Sequence, residues 1–126
     1  MDAVADPRPE GWPPIDLERY SFVLLVRPDD TPELSPEESD RLQEAHLAHL
    51  EAMARAGMLV GAGPFRDQPD ERLRGLCFYD CGIEEARTLA EQDPAVVAGV
   101  LAVEVMTWLT RRGTISFHRA TDDHSR

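Results

Sequence analysis

The chain has 126 residues and a net charge of −11, from 24 acidic against 13 basic side chains, a length that suits one domain. The acidic balance repels nucleic-acid backbones and anionic membranes, so neither is expected as a partner. All the basic side chains are arginine: the absence of lysine excludes Schiff-base chemistry and a P-loop lysine, and the absence of asparagine excludes an N-glycosylation acceptor.

No apolar run approaches the roughly 20 residues that cross a bilayer, and the first residues lack a basic segment followed by an apolar one. A soluble, cytoplasmic protein is expected. Residues 1–19 hold four prolines and several acidic side chains, which predicts an extended or disordered arm with Trp12 as a candidate anchor. The run Tyr20 to Arg27, YSFVLLVR, is the first strand, and its apolar centre suits a strand covered on both faces.

Ser35 opens the first helix as N-cap, with Pro36 at the first position and Glu38 closing a capping box. Gly57 supplies a left-handed stop, so the helix covers about 36–56. On its inner face Leu42, His46, His49, Leu50 and Met53 recur at three- and four-residue steps. His46 therefore interrupts an apolar stripe, where an imidazole needs a hydrogen-bond partner or a cavity.

Met58 to Phe65 and Leu73 to Cys81 read as a hairpin of two strands. Cys77 and Cys81 would lie roughly 13 Å apart along one strand, too far to bridge, and read as reduced, buried side chains. Gly82 leads into a second helix, IEEARTLAEQ, and Asp93-Pro94 opens a single helical turn closed by Gly99. Val100 to Thr110 is the fourth strand, Arg112-Gly113 a turn, and Thr114 to His118 a candidate edge strand.

The order β-α-β-β-α-β is that of an α+β, ferredoxin-like domain: a four-stranded antiparallel sheet with two helices on one face. It would occupy residues 20–118, with a polar tail at 119–126. Phe22, Leu24 and Val26 oppose Val23 and Leu25, and Met106 and Trp108 oppose Val103 and Val105. With apolar residues on both faces, the simplest cover for the open side is a second copy, so a homodimer is expected.

The run HLAHLEAMARAGMLVGAGPF, the strand opening LRGL and the segment EEA(x)₆DPAVVAG together resemble the YCII-related family of small dimeric α+β barrel proteins, over roughly residues 20–110. The resemblance implies a histidine–aspartate catalytic pair, carried here by His46 and Asp93. It also aligns the family's GP with Gly63 and Pro64, and the aromatic end of its last strand with Trp108. One relative removes chloride from a chlorinated hydroxyhydroquinone.

An imidazole at a pocket wall can move a proton near neutral pH, and a carboxylate on its other nitrogen would orient it. For His46 the plainer alternative is a hydrogen bond to a backbone carbonyl; for Asp93 it is capping alone. His49, one turn from His46, raises a metal reading, but a catalytic zinc usually has three protein ligands and no third is evident, so no metal is assigned. Gly61 and Gly63 leave the second strand bare, which opens room for a ligand or for close packing. Gly61, Gly63, Pro64 and His49 are accordingly the candidate ligand-binding residues. Ser21, Arg74 and Tyr79 could also face a cleft. The functional expectation is a cofactor-independent enzyme acting by acid–base catalysis on a small phenolic or enolic molecule, in a lyase-, isomerase- or dehydrochlorinase-like step. Its alternative is a homodimer that binds a small molecule without turnover.

Overall fold

A computed structural model describes residues 6–118. Residues 1–5 of the expected arm and the whole of the expected 119–126 tail lie outside the described residues. The elements are β1 (Leu17–Val26), α1 (Pro36–Arg55), β2 (Leu59–Pro64), β3 (Leu73–Tyr79), α2 (Ile83–Glu91), α3 (Pro94–Val97) and β4 (Ala102–Arg111). The strands form one antiparallel sheet in the order β2-β3-β1-β4, the ferredoxin-like arrangement, with the helices on one side.

Local chemistry sets the helix ends. The Ser35 hydroxyl accepts from the Glu38 N–H, and the Glu38 carboxylate accepts from the Ser35 N–H. At the other end Gly57 adopts a φ of +81°, where a side chain would be strained. β1 begins at Leu17, three residues before the expected start, because Leu17 to Arg19 continue the ladder opposite Leu109 to Arg111 of β4. Trp12 is exposed.

Alternation along β1 sends Ser21, Val23 and Leu25 to the helix side, where they are buried with Cys77, Tyr79, Ala86 and Ala90. Phe22 and Leu24 point the other way, next to Phe78, Met106 and Trp108. Met106 there is exposed.

Thr114 to His118 do not form the expected edge strand. After Gly113, at φ +84°, the chain carries Phe117 to the open face of the sheet. Its ring meets Tyr20 edge-on at 5.0 Å between centroids and tilts against Phe78 at 5.6 Å. Aromatic contact on an uncovered face replaces edge pairing.

α1 and α2 pack differently. Ala86 and Ala90 bring α2 down onto the sheet and are buried. α1 is twice as long, yet none of its side chains is fully buried. Its stripe of Leu42, His46 and Leu50 looks into a hollow between helix and sheet.

Candidate functional site

The hollow has a volume of about 740 Å³. Its floor includes Leu25, Ala62 and Cys77, its roof Leu42, His46 and Leu50, and its end Ala95 and Leu101. Apolar residues of α1, β1 and the segment before β4, among them Leu25, Leu42, Leu50 and Leu101, thus flank one imidazole, the pattern of a small-molecule pocket.

The imidazole is held from behind. His46 Nδ1 lies 2.6 Å from Asp93 Oδ2, and the two side chains are 12% and 3% exposed. Asp93 is also the N-cap of α3, where its Oδ1 accepts the Ala95 N–H at 2.9 Å. The Asp-Pro pair explains this placement. Proline at the first helical position needs no acceptor, and aspartate caps the turn with one oxygen. Its second oxygen is left for the neighbouring helix, so capping and pairing do not compete. With the carboxylate as acceptor, the tautomer that fits this contact has its proton on Nδ1. Nε2 is then the nitrogen left for the cavity, and the described residues give it no partner.

The other candidates divide. Gly63 and Pro64 line the hollow. Gly61 does not: it faces the opposite side, where an added Cβ would sit 3.3 Å from the Phe117 ring. The cause is a bulge at Val60, which shifts the β2 register so that Leu59 opposes Tyr79 and Gly61 opposes Phe78. The room that Gly61 leaves is taken by the chain's own phenylalanine. His49 is likewise absent from the wall; its Nε2 lies 3.1 Å from the Leu89 carbonyl of α2, a helix-to-helix hydrogen bond. Among the described residues no group of three His, Cys, Asp or Glu side chains comes together as a metal cluster. Ser21 donates to the Cys81 carbonyl at 2.7 Å, and Tyr79 is sealed in the core; neither reaches the hollow. Trp108 stacks on the open face of the sheet.

Cys77 forms part of the wall. Burial pushes its thiol up to about 12, and the Asp93 charge adds to the shift, so it stands as a neutral surface rather than a nucleophile. Cys81 lies beyond β3, also as a free thiol raised by burial.

Sequence reasoning missed Arg27, Ser39 and Gln43 as parts of the wall. A signal was present: Ser39 and Gln43 precede His46 by seven and three residues, on the same helical face. Three polar residues on the inward side of a helix indicate a hollow rather than a core.

The YCII-related domain model matches residues 21–109. The chain belongs to the YCII-related family. His46, Asp93 and the whole of the cavity wall fall inside the matched span. No curated protein matches this YCII-related chain. Among solved structures it is similar to the 5-chloro-2-hydroxyhydroquinone dehydrochlorinase TftG from Burkholderia phenoliruptrix, a structure in complex with 2,5-dihydroxybenzoquinone. The similarity has 18% identity and a TM-score of 0.47, over 73% of this chain and 91% of that one. No helix of the described residues is long and apolar enough to cross a membrane.

Proposed function

We propose that the His46–Asp93 pair performs general acid–base catalysis on a small organic molecule held in the cavity. The 2.6 Å contact behind an imidazole at the cavity wall carries this reading. His46 Nε2 takes a proton from an acidic C–H or O–H of the ligand. The electron pair left behind forms a new double bond. Either a leaving group such as chloride departs with its bonding pair and the imidazolium then gives its proton to water, as in a lyase or dehydrochlorinase, or the proton returns at another atom, as in an isomerase. Asp93 stabilises the imidazolium while it lasts and fixes which nitrogen faces the ligand. The residues invoked need no cofactor for this step.

The working unit proposed is the domain of residues 20–118, preceded by its arm. We also propose that it works as a homodimer. Phe22, Leu24, Phe78, Met106 and Trp108 give the open sheet face an apolar surface, and a second copy meeting it sheet to sheet would remove that surface from water.

The acid–base reading is tested by incubating the protein in D₂O with a panel of phenolic and enolisable compounds and following hydrogen–deuterium exchange by NMR. Exchange at one ligand position that is lost in His46→Gln is the expected result. Binding of a panel member with no exchange and no product would favour the non-catalytic alternative.

A further inference from the structure

The chain carries nearly twice as many acidic as basic side chains, yet the cavity wall reverses that ratio. Its charged members are Arg27, Arg74 and Glu33, beside the imidazole of His46. Both arginines come from the same end of adjacent strands. Arg27 directly follows β1, and its N–H donates to the Arg72 carbonyl two residues before Arg74.

Arg74 is placed by an irregularity in the sheet. Leu25 of β1 pairs with Gly75, but Val26 pairs with Leu73, so Arg74 has no partner on β1. An extra residue of this kind bends its strand and re-aims its side chain, and here that side chain borders the hollow. The bend brings backbones close as well: a Cβ on Gly75 would meet the Gly63 carbonyl oxygen at 2.6 Å.

Neither guanidinium is used up by the fold. Arg27 has no side-chain hydrogen bond or ion pair among the described residues. Arg74 donates to the Glu71 carbonyl at 3.2 Å and lies 4.0 Å from the Glu71 carboxylate, both in an exposed setting that leaves most of its donors available.

We propose that Arg27 and Arg74 form an oxyanion-binding end of the cavity, so that its ligand is a small organic carboxylate. The carboxylate meets the two guanidinium groups, whose planar donors match its geometry. An apolar or unsaturated body lies along Leu25, Leu42, Leu50 and Leu101. The acid–base reading adds that the reacting hydrogen faces His46, and this part of the proposal rests on that reading. The anion site itself does not. A leucine-lined body section favours an organic acid over free phosphate, which has no apolar part to bury.

The test titrates the full chain with benzoate, with its neutral counterpart benzamide and with inorganic phosphate, following backbone amide shifts of the cavity residues by NMR. Benzoate is expected to shift the amides of Leu50, Ala62 and Leu101 and to bind at least about tenfold more tightly than benzamide. Arg27→Gln and Arg74→Gln should each weaken benzoate about tenfold and benzamide much less, narrowing the preference between the two. His46→Gln should retain the preference for benzoate over benzamide. Equal binding of the two probes, no shift with either, or insensitivity to both arginine substitutions overturns the proposal. Binding of phosphate but not benzoate also overturns it. If benzoate discrimination holds while no panel compound exchanges hydrogen in D₂O, the anion site stands and the catalytic reading fails.

Discussion

His46 Nδ1 and Asp93 Oδ2 stand 2.6 Å apart although 47 residues separate them, and they join the middle of α1 to the first turn of α3. The contact fastens α1 at the wall of the hollow it spans. Asp93 meets two demands with two oxygens, so substitutions can separate them.

Asp93→Asn keeps an N-cap, since asparagine caps about as well as aspartate. Asp93→Ala removes the cap, worth about 1 kcal/mol, and also leaves the buried Nδ1 proton without an acceptor, worth about 1–3 kcal/mol more. Denaturant unfolding should therefore rank stability as wild type, then Asn, then Ala. If the Asn and Ala variants were equally destabilised, the capping contribution assigned to Asp93 would be wrong.

The glycines of the β2–β3 hairpin should behave unequally. Gly75→Ala forces a methyl against the Gly63 carbonyl oxygen, which is backbone and cannot swing away, so a loss of about 1–3 kcal/mol is expected. Gly63→Ala meets nothing within 4 Å and should leave the melting temperature nearly unchanged. Equal melting temperatures for the two variants would contradict the close approach at the bulge.

Cys77 gives a pH dependence with a definite sign. Its folded-state thiol is raised to about 12 by burial first and by the Asp93 charge second. The unfolded chain therefore loses this proton before the folded one does. The contribution to stability is fully present below the ordinary thiol range and declines as pH rises through that range toward about 12. Cys77→Ser should flatten this alkaline decline, measured by denaturant midpoints across the range. In the native wild type at pH about 8.5, where an ordinary thiol is half ionised, alkylation of Cys77 should be far slower than in the unfolded chain. Equal alkylation rates would show that the cavity does not shield the thiol.

The homodimer reading concerns the open face of the sheet. Sedimentation at micromolar concentration should give twice the chain mass, and Met106→Glu, a charge placed in the apolar patch, should return the monomer. Phe117 already occupies the β2 end of that face through Tyr20, Phe78 and the gap over Gly61. A monomeric wild type would mean that the face needs no partner beyond this cover.

Much of the architecture was legible because it rests on local chemistry. Ser35-Pro36-x-Glu38 specifies a helix start, Gly57 a stop and Asp93-Pro94 a capped turn, and each operates within a few residues of chain. What could not be read depends on residues far apart in sequence. The bulge at Val60 turns Gly61 away from the hollow, and no local signal marks where an antiparallel ladder slips by one residue. Phe117 could not be foreseen on the sheet face because edge pairing and aromatic burial were both open to its segment. His49 shares its helix with His46, yet the carbonyl of Leu89 on α2 claims it. The histidine and aspartate could be matched to a family pattern, but their separation is a property of how α1 and α3 pack.

The proposed mechanism requires Asp93 to hold the Nδ1 proton of His46 and leave Nε2 to act on a ligand. Nitrogen-15 NMR of the ring-labelled protein, in the neutral-imidazole state, reads this directly. A protonated, pyrrole-like Nδ1 and an unprotonated, pyridine-like Nε2 are expected, with this preference disturbed in Asp93→Asn. A ring protonated at Nε2 in the wild type, or a pattern unaltered by Asp93→Asn, would contradict it.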